Sequence, residues 1–387
     1  LWMRRDRGHR ILFRYSLLLL AGYLLMHFLA QIPVLAGADG TVTALQRLLG
    51  NEVGSGAIRL ALWRESLHIF SDFPLLGAGF GQFAWQHFLL AEQWRNPGMT
   101  GLYTHAHNLV LQMAAETGLF GVLLLLGGVG LWLAQAARNG ERSTAQWWAF
   151  SVLAVIGIHS MLEYPLWYAY FLGIAAILLG ATESALVRLP LGGAGRILVA
   201  FIMLAGLLIL LQMGRDQRAI EQLLARRPSQ PEQSVPWREK LQALTRRTTI
   251  VSLAETSLAG MPEAGRNEVS DKLALSGRAM RALPVNTVVY NHAVLLALSG
   301  DQDAARVQMA RAIWSYPGDF GRVRQTLEDM ALKDSAHFSD LLEFAIREYE
   351  EWQRGIHPEQ FFDDHGGGEQ RADVAVVVFW QSPARRE

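Results

Sequence analysis

Residues 108–136 read NLVLQMAAETGLFGVLLLLGGVGLWLAQA, and this stretch sets the fold class. Its only charged side chain is Glu116. An apolar run of roughly 18 or more residues with so little charge is a candidate membrane span. It lacks the strict alternation of a barrel strand, so a helix is the form that satisfies its backbone in lipid. Polar groups are costly near hydrocarbon. Asn108, Glu116 and Gly118 are unusual residues at the start of the run, and are expected to face a cavity or a partner helix.

Four more apolar runs flank this one, at about 11–34, 147–162, 166–186 and 197–213. Trp147 and Trp148, and the group Tyr164, Trp167 and Tyr168, stand where interfacial aromatic belts belong. Arginines mark every second connection: Arg4, Arg5, Arg7 and Arg10 before the first run, Arg138 and Arg142 after the second, Arg188 and Arg196 after the fourth. The positive-inside bias puts these on the cytoplasmic side. The opposite side then receives the loop at 35–107, the turn Glu163-Tyr164-Pro165 and everything after residue 213.

That last part reads as soluble helical hairpins. Pro284 and Pro317 each end an apolar-periodic segment, close to one 34-residue tetratricopeptide period apart. Between them Ser299-Gly300-Asp301 joins two helices. The expected class is all-α: a polytopic transmembrane helical bundle with a C-terminal soluble helical, tetratricopeptide-like domain. Its divisions are a first transmembrane helix (1–34), a periplasmic loop with an interfacial helix (35–107), four transmembrane helices (108–136, 147–162, 166–186, 197–213), a helical repeat-like domain (214–362) and a disordered tail (363–387).

Overall composition adds exclusions. Of 387 residues 51% are hydrophobic, and 35 basic residues balance 35 acidic ones. No basic domain stands out, so nucleic acid is not an expected partner; the lipid bilayer is. With no cysteine, thiol catalysis and disulfides are excluded. The chain begins Leu1-Trp2-Met3. The first apolar run is too long and badly flanked for a cleaved signal peptide, and the expectation is that part of a longer protein precedes it.

Several polar residues cluster around the loop. From Ala57 to Phe70 the apolar positions follow helical spacing, with Pro74 as the stop. Arg59, Trp63 and Ser66 share one face, and Arg64 and His68 another, which suits a helix at the membrane interface. Next comes Pro74-Leu75-Leu76-Gly77-Ala78-Gly79-Phe80-Gly81. Its glycines imitate a dinucleotide fingerprint, but no strand–helix context surrounds them and no acid follows about 20 residues on, so a tight turn is expected. Thr104-His105-Ala106-His107-Asn108 then leads into the second run, with Gln112, Glu116, Gly118 and Gly121 beyond.

Three of these patterns together resemble the O-antigen ligase and O-antigen polymerase family: Arg59-x3-Trp63, Pro74-Leu75-Leu76-Gly77-x-Gly79, and His107-Asn108-x2-Leu111-Gln112-x3-Glu116-x-Gly118-x2-Gly121. The resemblance covers about residues 50–185. One departure is Trp63, which stands where the family pattern has Leu. Glu163-Tyr164-Pro165-Leu166 and the trailing helical domain are most similar to the protein O-oligosaccharyltransferase branch. The resemblance implies transfer of a glycan from an undecaprenyl-pyrophosphate carrier to a hydroxyl. The acceptor would be Ser or Thr of an exported protein, at the periplasmic face of the bacterial inner membrane. Ligation or polymerisation of O-antigen on lipopolysaccharide is the alternative.

Such transfer needs a cation beside the departing phosphate and a base for the acceptor hydroxyl. Arg59 and Arg64 are the candidate cations and His107 the candidate base. Tyr164, Glu163, Asn108 and Gln82 are supporting candidates: Tyr164 to orient acceptor or phosphate, or to serve as a belt residue; Glu163 to orient His107, or to lie four residues from His159. The expected reaction inverts the anomeric centre and uses no metal and no cofactor. A metal reading would draw on His105, His107, His159 and Glu163, without a ligand-spacing motif. Asp301-Gln302-Asp303 imitates the acidic pair of nucleotide-sugar transferases, but its place before a helix suits an N-cap. A reading from another class makes the chain a transporter subunit or scaffold.

Overall fold

The computed structural model describes residues 14, 17, 18, 55–138, 143–183, 192–226, 231–261 and 268–356. The expected first span, most of the arginines used for orientation and the tail from 363 lie outside these residues. The chain divides into two compact units, Leu1–Leu60 with Asp373–Glu387, and Ala61–Ala372. In the first, Arg14, Leu17 and Leu18 are helical and exposed, and Ser55–Leu60 form the opening turns of helix α1, Ser55–Asp72. All the other described residues belong to the second unit.

Regular elements of that second unit are all helical among the described residues. After α1 come α2 (Phe83–Trp94), α3 (Leu109–Arg138), α4 (Thr144–His159), α5 (Ala169–Thr182) and α6 (Gly193–Ala225). Of these, α3 and α6 are long and apolar enough to cross a membrane. Helices α4 and α5, with 16 and 14 residues, fall short of the roughly 20 that a straight span needs. Helix α4 starts earlier than its apolar run because Ser143 and Gln146 close a capping box. Among the described residues, none in the apolar window of α6 is buried, as can be where lipid supplies the contact. Packing is visible between α4 and α5, and Trp132 of α3 meets Phe150 of α4 with ring centroids 5.2 Å apart.

Helix α6 does not stop at Met213. It continues to Ala225, and buried Asp216 receives the Thr249 amide at 2.7 Å and the Thr248 and Thr249 hydroxyls. This ties the last apolar helix to the C-terminal helices: α7 (Pro231–Thr245), α8 (Val251–Ala259), α9 (Val269–Ala282), α10 (Asn286–Ser299), α11 (Gln302–Ser315), α12 (Phe320–Lys333) and α13 (Ser335–Ile356). First helices of successive hairpins begin at Val251, Asn286 and Phe320, and second helices at Val269, Gln302 and Ser335. Gly300, at φ 90°, makes the reversal between α10 and α11, and Asp301 caps α11 by accepting from the Ala304 amide at 3.1 Å. Asp301 is thus used as a cap.

Helix α2 packs on α11 and α9. Phe88 is 1% exposed, inside the same core as Ala293, Met309, Ile313 and Leu341. Burying one such ring contributes about 1.5–3 kcal/mol. The loop before α3 and the C-terminal half, expected as separate segments, therefore share one core.

Candidate active site

The site begins at a break in α3. Gly118 has φ 63° and ψ −161°, so two helical pieces meet there. A broken helix leaves amides and carbonyls without partners, and in lipid each must be satisfied inside the protein. The Pro74–Gly79 turn supplies them. The Leu119 and Phe120 amides donate to the Pro74 and Leu75 carbonyls, at 2.8 and 3.2 Å. The Ala78 and Gly79 amides donate to the Ala115 and Glu116 carbonyls, at 2.9 and 3.0 Å. Gly77, at φ 71°, lies so close to the Glu116–Thr117 peptide that a Cβ would overlap it. The glycine-rich turn is thus a plug for the helix break.

The same join positions two polar side chains. Glu116 is 2% exposed and accepts from the Phe83 amide at 3.2 Å, at the start of α2. Gln112, also 2% exposed, accepts from the Ala106 amide at 2.7 Å. Both side chains face protein, as their cost in lipid requires. Gln82, partly exposed, precedes α2 and gives its side chain to no cap hydrogen bond.

Asn108 starts α3. Its side-chain oxygen accepts from the Leu111 amide at 3.1 Å, and its amide donates to the Met161 carbonyl at 3.2 Å. With the Leu109 amide on the Ser160 carbonyl at 2.8 Å, this sews the start of α3 to the end of α4. Glu163 is brought to His107: imidazole Nδ1 lies 2.7 Å from Glu163 Oε2. A carboxylate only accepts, so Nδ1 carries the proton and the neutral ring keeps its lone pair on Nε2. His107 has φ 53°, a left-handed conformation costly for a side chain with a Cβ. Its side chain is 24% exposed, within reach of a substrate.

Aromatic rings line this pair. Tyr164 meets His107 edge-on at 5.1 Å and stacks on His105 at 4.4 Å with 8° between planes. Trp167 touches His105 edge-on at 5.0 Å, and Tyr168 stacks on Tyr164 at 5.7 Å. Burial, with the neighbouring His107, pulls His105 down to about 4. It is neutral at physiological pH and a weak base. A hydrogen bond with Tyr168, aided by burial, pushes the Tyr164 phenol up. Tyr164, Trp167 and Tyr168, the group expected where an aromatic belt belongs, thus gather beside His105 and His107.

His107, Glu163, Tyr164 and Asn108 are therefore together. Arg64 is exposed on α1, and no hydrogen bond or ion pair joins it to them. Arg59 belongs to the first compact unit, on the opening turns of α1, and is half-buried. His159 is exposed and meets Phe171. No three His, Asp or Glu side chains among the described residues come together as a metal site. Sequence reasoning missed Glu65 and His87, buried and paired at 2.7 Å between α1 and α2, with Tyr103 edge-on against His87 at 5.3 Å. Glu65 lies on the inward side of the helix expected at the interface.

The model of the O-Antigen ligase family matches residues 1–126, and that of "Virulence factor membrane-bound polymerase, C-terminal" matches 147–328. A General O-oligosaccharyltransferase of Acinetobacter baylyi (strain ATCC 33305 / BD413 / ADP1) is 28% identical over 180 residues, 44% of this chain and 30% of that protein. The match thus covers about a third of that relative's length. No solved structure matches. By these matches the chain is similar to the O-antigen ligase family and to an oligosaccharyltransferase.

Proposed function

We propose that this chain carries the transfer site of an inverting, metal-independent glycosyltransferase. It moves an oligosaccharide from a polyprenyl-pyrophosphate carrier to a hydroxyl acceptor at the periplasmic face of the inner membrane. The observation that carries the reading is the His107–Glu163 pair, which fixes the tautomer and leaves Nε2 open. The acceptor oxygen attacks the anomeric carbon as its proton passes to Nε2. The carbon–oxygen bond to the pyrophosphate breaks, and the configuration inverts. Glu163 steadies the imidazolium that forms, as a carboxylate does in a hydrolase triad. Arg59 and Arg64 serve as guanidinium donors to the departing pyrophosphate, a group that arginine binds through two parallel hydrogen bonds.

The preferred acceptor is Ser or Thr of an exported protein, supported by the similarity to a General O-oligosaccharyltransferase. The O-Antigen ligase and polymerase matches favour a lipopolysaccharide acceptor as the second reading. The helical hairpins, which recur at about 34 residues, are read as a tetratricopeptide-like domain that guides the acceptor. The helices before it are read as part of a polytopic bundle.

The test is transfer of a lipid-linked oligosaccharide in vesicles by the full-length protein, with an exported protein or lipid A core as acceptor. His107→Ala should abolish transfer and spare carrier binding. Arg59→Ala should weaken both, and Arg59→Lys should keep part of each. Near-normal transfer by His107→Ala ends the general-base reading, and chelator inhibition reversed by a divalent ion ends the metal-independent one. Transfer to lipid A core alone decides for the second acceptor.

A further inference from the structure

The strained backbone at His107 needs support, and much of it comes from the far end of the chain. A left-handed, non-glycine residue persists only where its surroundings over-determine it. His107 ends a stretch without regular structure, residues 95–108. Its later end is held locally, by the Ala106 amide on Gln112 and the Leu109 amide on Ser160. Its earlier end is held by the C-terminal helices. Arg95, itself left-handed at φ 41°, donates Nη1 to Glu351 at 2.6 Å and Nη2 to Glu348 at 3.0 Å, both on α13. Its guanidinium lies 5.7 Å from the centre of the Trp314 ring, and the Trp314 indole donates to the second oxygen of Glu348 at 3.0 Å.

Two further contacts lie along the same stretch. Pro97 lies against Gly355, where a Cβ would come within 3.2 Å of the proline ring. The Gly101 amide donates to the Ser315 carbonyl at 2.6 Å. Adhesion between α2 and the helical domain does not need these contacts, because Phe88 already buries its ring in that core. They fall instead on the residues that lead to His107.

We propose that the C-terminal helical domain is a positioning element of the transfer site. Arg95, gripped by Glu348 and Glu351 over Trp314, holds the 95–108 stretch so that His107 keeps its working geometry. The proposal rests on His107 being the base. It gives the domain a task beyond guiding the acceptor, and it makes Arg95 a positioning residue that meets no substrate.

The experiment uses the full-length protein in vesicles, with kcat and KM for donor and acceptor, thermal stability, and the rate of chymotryptic cleavage after Leu102 and Tyr103, within residues 95–108. Arg95→Ala should lower kcat on the order of 10- to 100-fold, the scale for a misplaced catalytic group. KM should stay within about twofold, and cleavage downstream of the substituted position should speed up, while the unfolding midpoint holds. Arg95→Lys, with one ammonium in place of a fork, should recover part of the rate. Glu351→Gln is the second variant, since that half-exposed carboxyl tolerates replacement; it should give a smaller loss of the same kind. Unchanged kcat and cleavage in both variants overturns the proposal, as does a rate loss fully explained by lost folded protein. If His107→Ala is inactive while Arg95→Ala is normal, the clamp alone is wrong. If His107→Ala is active, the base assignment is wrong, and the cleavage rates still decide the clamp.

Discussion

The Leu119 amide donates to the Pro74 carbonyl, across 45 residues of sequence, in place of the intrahelical bond that a continuous α3 would make to Ala115. The glycines of this join do unequal work. At Gly77 a side chain meets both a left-handed backbone and the Glu116 peptide, and at Gly81 only the backbone. Gly77→Ala should cost more than about 2 kcal/mol, enough to lower the yield of folded protein, and Gly81→Ala about 1 kcal/mol. Thermal unfolding in detergent checks the order; equal losses at the two positions would remove the plug from the explanation.

Glu163 should matter to rate more than to folding. Its carboxylate sits at the rim of the site, 34% exposed, so its loss leaves no large cavity. Glu163→Ala should lower transfer on the order of 10- to 100-fold, as loss of an orienting partner to a catalytic or ligating histidine typically does. Glu163→Gln should fall between, since an amide oxygen still accepts from Nδ1–H but carries no charge to steady imidazolium. The check is kcat at saturating donor with circular dichroism as the folding control, and wild-type turnover in Glu163→Ala speaks against the pair.

The Glu65–His87 pair makes the opposite prediction. Both side chains are within 5% of full burial. Removing the imidazole strands a buried carboxylate, which costs on the order of 3 kcal/mol. His87→Ala should therefore lower the unfolding midpoint by several degrees. The double variant Glu65→Gln with His87→Ala should be more stable than the single one. A single variant as stable as wild type would show that the carboxylate finds another partner.

Acid should weaken the helical domain through His292. Burial pulls its imidazole down to about 4, with Ser276 Oγ 2.7 Å from Nδ1. The folded state therefore binds this proton less readily than the unfolded chain, whose histidine titrates near 6.5. Stability is then fully present above about pH 6.5 and declines as pH falls towards 4. Midpoints measured across that window should fall, and His292→Gln should flatten the fall; an unchanged slope in the variant assigns the acid sensitivity elsewhere.

The chemistry-bearing residues were more legible than their supports. His107, Asn108, Glu163 and Tyr164 sit at the ends of apolar runs, where a polar group has few reasons to be. Gly118 stood out at the start of its span, but the break it makes did not, because the reason for the break lies in Pro74–Gly79. Phe88 was not singled out, because an apolar helix face reads the same against lipid, an interface or a protein core. The Ser143 capping box was available in the sequence, but hydropathy alone moved the start of α4 to Trp147. The limits of α5 and α6 differ for a similar reason: a run of apolar residues reports what lipid tolerates, whereas a helix ends where its backbone hydrogen bonds end.

The ion pair between Arg95 and Glu348 joins positions 253 residues apart, and this bears on how the protein comes into being. A ribosome releases Arg95 long before Glu348, with the hydrophobic helices α3 to α6 to be made in between. Contacts of such large sequence separation form late, after the entropy of closing the intervening chain has been met. A nascent chain can thus thread its helices into the bilayer while the stretch before His107 is still without its clamp. On the proposed clamp, competence for transfer then arrives with α13, so a product clipped before α13 would be inserted but inert.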